Sequence, residues 1–178
     1  MAQLVMKRPQ GAAEYDRDSI IAVREATNAD ADAMAALLGS AFPELEWNAA
    51  RVRKDLLDAT DVHAVFVIDD GGGITATASV RYVERFPDSG YVHWVAVDPR
   101  HRGKRLSHVV MGRVLGRFLD DGKQSAILET DDVRLPAITA YLGLGFIPYY
   151  TDTDHEDRWS RVFTLLGQSR HTAKDRPK

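Results

Sequence analysis

Residues 91–107 read Y-V-H-W-V-A-V-D-P-R-H-R-G-K-R-L-S, and the fold turns on how they are read. Up to Val97 the side chains are β-branched, aromatic or small, the composition of a strand. Asp98-Pro99 ends it, because proline has no N–H to give a ladder and Asp-Pro opens turns. Arg100-His101-Arg102-Gly103-Lys104-Arg105 then carries four formal positive charges and no carboxylate. A helix starts at once: Leu106, Val110, Val114 and Phe118 recur every four residues, and Met111, Leu115 and Leu119 widen the stripe. Strand, basic glycine-containing turn and helix together present unpaired helix-terminal amides and the positive ends of peptide dipoles. Such a terminus suits a diphosphate, with arginine and lysine alongside. The competing reading is an ordinary crossover with a solvated basic turn.

Working outward toward the C-terminus, residues 124–129 form the next strand, and a helical crossover makes it parallel to 91–97. Thr130-Asp131-Asp132 caps a helix over 134–144, with Gly143 and Gly145 at its end, where a left-handed residue is expected. Residues 146–150 are strand-like, 152–157 (D-T-D-H-E-D) an acidic loop, and 158–166 the expected last strand. Toward the N-terminus, 62–68 and 74–83 form a hairpin around D-D-G-G-G. That turn lacks the lysine and Ser/Thr of a P-loop. Residues 20–24 read as a first strand. Thr27 or Asn28 caps a helix to about Phe42 with Met34, Leu37, Leu38 and Ala41 on one face, and 47–59 makes a second helix. The expected organisation is a flexible tail over 1–19, one domain over 20–166, and a second tail over 167–178.

The 178 residues suit a single core, and 44% hydrophobic with 28% charged residues is a globular composition. A net charge of −3 argues against a nucleic-acid partner and makes the basic turn a local feature. No apolar run approaches the ~20 residues of a membrane span and no signal-peptide core is seen, so a cytoplasmic location without a membrane partner is expected. With no cysteine there is no disulfide and no acyl-cysteine intermediate. The six histidines show no ligand spacing, so no metal is expected.

Residues 97–107, V-D-P-R-H-R-G-K-R-L-S, resemble the acetyl-CoA signature of the GNAT family of N-acetyltransferases, V-x-P-x-x-R-G-x-G-x-G/A. Arg105 stands where that family has glycine, and Ser107 where it has glycine or alanine. Residues 134–146, R-L-P-A-I-T-A-Y-L-G-L-G-F, are similar to its later motif, N-x-x-A-x-x-x-Y-x-x-x-G-F. Ala137, Tyr141, Gly145 and Phe146 fall in register, and Arg134 replaces the asparagine. The resemblance covers roughly 20–166. It implies an α/β chain with the GNAT fold: a twisted, mixed, mostly antiparallel sheet with helices on both faces and a splayed parallel strand pair.

The resemblance implies an acetyl-CoA-dependent N-acetyltransferase in which a primary amine attacks the thioester directly. Cofactor contacts would come from Val95, Ala96 and Val97 through their main chain, from Arg102, Gly103, Lys104, Arg105, Leu106 and Ser107 around the pyrophosphate, and from Arg134, Ala137 and Tyr141. Tyr141 would protonate the leaving thiolate, a proton a phenol can donate. His93 lies two residues before Val95, on the same face of a regular strand. H-x-V-A-V is similar to the H-x-L-A-V of arylalkylamine N-acetyltransferases, where the histidine helps remove the amine proton. Glu84 is the second candidate base. The acceptor, a small amine or a peptide or protein amine, is expected among residues 43–47, 84–89 and 151–157, which hold Glu44, Glu46, Glu84, Asp88, Asp152, Asp154, Glu156 and Asp157. A non-catalytic acyl-CoA sensor on the same fold is the alternative, and a homodimer is left open.

Overall fold

A computed structural model describes residues 3–10 and 20–167. In chain order its elements are β1 (Leu4–Pro9), β2 (Arg24–Glu25), α1 (Ala31–Ala41), α2 (Ala49–Val52), β3 (Val62–Asp69), β4 (Ile74–Arg81), β5 (Ser89–Val97), α3 (Leu106–Asp120), β6 (Ser125–Thr130), α4 (Leu135–Gly143), β7 (Ile147–Tyr149) and α5 (His155–Leu165). The strands form one open mixed sheet in the order β2-β3-β4-β5-β6-β1-β7. Every neighbouring pair is antiparallel except β5 with β6.

Two cores clad the sheet. On one face Val110, Val114 and Phe118 of α3 pack with Ile138 and Tyr141 of α4, Trp159 and Phe163 of α5, and Ala78, Val80, Leu128 and Met6 of the sheet. On the other, Met34, Leu37 and Leu38 of α1 pack with Val52, Val65, Val67 and Ala96. Burial of these side chains is the main source of stability, at about 25 cal/mol per Å² of apolar surface. Thr27 starts the run into α1 with a capping box, its N–H and hydroxyl both donating to Asp30. Among the described residues no helix is long and apolar enough to cross a membrane.

Four expectations are corrected. Residues 158–166 are not a strand but part of α5, because His155, Trp159, Val162 and Phe163 bury one helical stripe. The sheet position beside β6 is filled instead by β1, from the stretch expected to be a tail. Its Leu4, Val5 and Met6 are buried, and the Arg8 Nε donates to the Leu144 carbonyl at 2.7 Å. The first strand shrinks to the two residues of β2. The helix expected over 47–59 is α2 widening into a π-helical turn at Arg53–Leu57. Residues 11–19 and 168–178 of the two expected tails lie outside the described residues.

Candidate active site

The parallel pair opens early. β5 meets β6 only at Ser89, Gly90 and Tyr91, opposite Ser125, Ala126 and Ile127. Gly90 is needed there, since a Cβ would lie 2.2 Å from the Phe118 ring. On its other side β5 carries one extra residue: Thr77 pairs with Ala96 but Ser79 with His93. This β-bulge puts Trp94 at φ +46°, in the left-handed region. Its ring is held edge-on by Phe42 and Trp47, centroids 5.1 and 4.8 Å away. The bulge corrects the expectation that His93 and Val95 share a face. Val95 packs toward the α3 side, while Trp94 and Ala96 pack toward α1.

A groove of about 480 Å³ runs from the open edge of β5 to the start of α3. Val95, Ala96, Val97, Arg102, Gly103, Arg105, Leu106, Ser107, Arg134, Ala137 and Tyr141 all line it; of the expected cofactor residues only Lys104 does not. Gly103 has φ +81° and Arg105 φ +56°. The arginine thus keeps the left-handed turn that glycine would give, at a cost of about 1–2 kcal/mol. The amides of Gly103, Arg105, Leu106 and Ser107 have no acceptor among the described residues. Neither do Arg102, Lys104 and Arg105 form an ion pair there. The flanking side chains have partners: Arg100 pairs with Asp98 at 2.7 Å, and His101 Nε2 lies 3.0 Å from an Asp70 carboxylate oxygen. The Arg100 guanidinium and amide hold the Asp98 carboxyl down at about 2.

Tyr141 sits on α4 where the groove meets a second cavity of about 230 Å³. Its ring is buried, its hydroxyl has no hydrogen-bond partner among the described residues, and burial pushes its pKa up to about 12 against the pull of Arg134. Arg134 lines both spaces. It donates to Glu44 Oε1 at 2.7 Å and Asp131 Oδ2 at 3.2 Å and lies 4.5 Å from the Phe42 ring centre. The second cavity lies between the separated ends of β5 and β6, walled by Tyr91, His93 and Glu129 and roofed by Phe42, Glu44 and Leu45.

His93 reaches this cavity, but its lone pair is engaged. Arg81 Nη1 stands 3.3 Å from Nε2 and can only donate, so Nε2 accepts and Nδ1, buried without a partner, carries the hydrogen. Burial, then the Arg81 charge, lower its pKa to about 4. Glu84 is exposed and lines neither space. Of the three loops expected to border the acceptor, only 43–47 does so, through Glu44 and Leu45. Asp152 and Glu156 line a separate surface hollow. Asp152, Asp154 and His155 bring ligand-type atoms within 4.8 Å of one another there, with His155 Nδ1 accepting from the Thr151 amide.

Two residues of the second cavity were missed in the sequence. Glu129 is the next-to-last residue of β6, where its Oε2 accepts from the Tyr91 hydroxyl at 2.9 Å and its Oε1 from Arg85 at 2.8 Å. Ligands gather beyond the carboxyl ends of parallel strands, and that rule would have singled it out. Gln3, just before β1, donates to Asp131 Oδ1 at 3.3 Å; nothing local marks it.

A sequence model described as "Acetyltransferase (GNAT) family" matches residues 25–146, leaving β1, β7 and α5 outside. The rat protein "N-acetyltransferase 8F1" is 30% identical over 116 residues, 58% of this chain and 51% of its own. Rat "N-acetyltransferase 8B" is 29% identical over 101 residues, 50% of this chain and 46% of its own. The chain spans about half the length of these curated relatives. Among solved structures, a putative GNAT acetyltransferase from Novosphingobium aromaticivorans superposes with a TM-score of 0.62 at 19% identity, over 83% of this chain and 60% of that one. The ribosomal-protein-S18-alanine N-acetyltransferase of Escherichia coli gives 0.60 at 19% identity, over 71% and 77%.

Proposed function

The chain belongs to the acetyltransferase (GNAT) family, and we propose that it transfers an acetyl group from acetyl-CoA to a primary amine by direct attack in a ternary complex. The observation that carries this reading is the junction at Tyr141: a phenol between a groove that ends in four amides and a second cavity, with neither the phenol nor those amides bonded among the described residues. Acetyl-CoA, when bound, supplies an acyl carbon activated as a thioester. The amides of Gly103, Arg105, Leu106 and Ser107 and the Arg102 and Arg105 guanidinia fit its diphosphate, and the open main chain at Val95, Ala96 and Val97 fits its amide-bearing arm. A main-chain donor on that edge opposes charge growing on the acetyl oxygen, an effect typically worth ~3 kcal/mol.

Tyr141 gives its proton to the departing sulfur. Its raised pKa keeps it protonated at neutral pH, so the proton is present when the C–S bond breaks. The ammonium first loses one proton to solvent, because only the neutral amine has the lone pair that forms the C–N bond; the proton that the same nitrogen sheds after attack re-forms the phenol. We place the chain in the cytoplasm, with acetyl-CoA and an amine as its partners.

Titration calorimetry with acetyl-CoA, beside an assay of thiol released in the presence of primary amines, tests the reading. Micromolar binding together with an acetylated amine in the mass spectrum is expected. Binding with no acetylated product would leave a non-catalytic acyl-CoA sensor, and no binding would remove both.

A further inference from the structure

We propose that Arg134 is a positioning residue: it locks the roof of the second cavity to the start of α4, and its guanidinium acts on the amine side of the site rather than on acetyl-CoA. The proposal rests on the acetyltransferase reading and gives one residue of that same site its part.

Arg134 is fixed at its root. At the N-cap of α4 its amide donates to the Asp131 carbonyl and its carbonyl accepts from the Ile138 amide, both at 3.0 Å. From there the side chain crosses to the roof. Nε donates to Asp131 Oδ2, Nη2 donates to Glu44 Oε1, and the guanidinium lies over the Phe42 ring. Asp131 is itself held by Gln3, ahead of β1, which leaves the guanidinium little freedom to swing away. Donors in two directions and a flat face are what arginine offers and lysine lacks.

The roof is otherwise tied only to its own side. The Leu45 amide donates to the Phe42 carbonyl at 3.0 Å, and the Glu46 carbonyl accepts from Arg51 at 2.8 Å, so both bonds stay within α2 and its connection to α1. Among the described residues, Arg134 is the one side chain across the cavity that bonds to residues 43–46. Phe42 lines groove and cavity alike, with Trp94 edge-on at one side and Arg134 at the other. Releasing the guanidinium therefore loosens the wall between the two spaces. Glu44 lines the cavity but not the groove, so it reports on the lock without touching the path of the cofactor.

The size of the effect follows from exposure. Glu44 is 56% exposed, and such a pair contributes little by itself. A roof that stands open part of the time lowers the apparent affinity for the amine by the fraction still closed, while a saturating amine holds it shut. KM for the amine should rise a few-fold and kcat should hold.

Glu44→Ala, Arg134→Lys (which keeps the charge) and the double variant test this. The readouts are hydrogen exchange of the peptide spanning 42–47 and the thiol-release assay with a primary amine such as benzylamine. Each single variant should speed exchange across 42–47 severalfold. Each should raise amine KM about three- to fivefold, with kcat and calorimetric acetyl-CoA affinity within twofold. The double variant should match the singles, since one lock is broken only once. Wild-type exchange in both singles, or KM rises that multiply in the double variant, would overturn the lock. So would weaker acetyl-CoA binding in Arg134→Lys with amine KM unchanged, which would make the guanidinium a cofactor contact. A KM rise in Glu44→Ala alone would make Glu44 a direct contact of the amine and overturn it as well. If the wild-type chain acetylates no amine, the acetyltransferase reading fails, and the exchange rates, which need no turnover, still decide whether Arg134 holds the roof.

Discussion

At residues 102–107 three cationic side chains and four amides stand without an anionic partner among the described residues, whereas across the strand opening the charges are already matched. There Arg134 serves Glu44 and Asp131, Arg81 serves Asp61 and His93, and Glu129 has Tyr91 and Arg85. The first region sets like charges side by side, a repulsion that an arriving anion relieves, beside an arginine held in a left-handed turn. The second is neutralised from within. Affinity in such a cleft belongs to the loop, and discrimination to the cavity.

Tyr141, between the two, offers the sharpest way to break this division. Replacing it by Phe is expected to lower kcat by about 10²-fold or more, the usual range for a lost general acid. Calorimetric affinity for acetyl-CoA should stay within twofold, since the hydroxyl has no partner to lose. The variant should be about as stable as the parent, because the hydroxyl, which faces the two spaces, gives up no protein partner among the described residues. An unaltered kcat would take Tyr141 out of the chemistry and leave the loop as a binding device alone.

The next effect separates the matched cavity from the loop by pH. His93 has a native pKa of about 4 against 6.5 for an unperturbed imidazole. Between these values the unfolded chain binds a proton that the native chain refuses, so native stability falls as pH drops. The loss is absent above the unfolded value and complete near the native one, at about 3 kcal/mol. His93→Gln should flatten urea midpoints plotted across this window; an undiminished slope would mean that the ring takes its proton without cost. His108, lowered by burial and Arg105, leaves a smaller slope of the same sign. The Asp98 carboxyl titrates below this window.

The loop was legible in sequence because its determinants are local. A proline, a glycine and a four-residue apolar repeat lie within one short stretch, and each acts on its immediate neighbours. The cavity was not. Glu129 and Gln3 meet it through the β5–β6 and β1–β6 pairings, which join residues far apart in the chain. The bulge at Trp94 is a statement about β4's register, and nothing in H-W-V-A reports it. β1 has a short apolar core, L-V-M, followed by K-R-P, which reads as a polar terminus until the sheet offers it a slot. The aromatic and β-branched residues of 158–166 suit a strand by type, and only the spacing of Trp159, Val162 and Phe163 favours the helix that forms.

The smallest effect is the most discriminating for the loop itself, because Arg105 joins a strained backbone to an unmatched charge. Arg105→Gly removes the strain and the charge together, and the two losses have opposite signs in different measurements. Relief of the left-handed torsion, less the greater freedom glycine has when unfolded, should leave a net gain of up to about 1 kcal/mol. In a chain of this size that raises Tm by roughly 2–4 °C. Loss of the guanidinium should weaken acetyl-CoA binding, and the difference from wild type should shrink as salt rises, since the contribution is an exposed charge. A higher Tm with tighter binding would mean instead that the arginine side chain crowds the amides it flanks, and that the loop's affinity comes from its main chain alone.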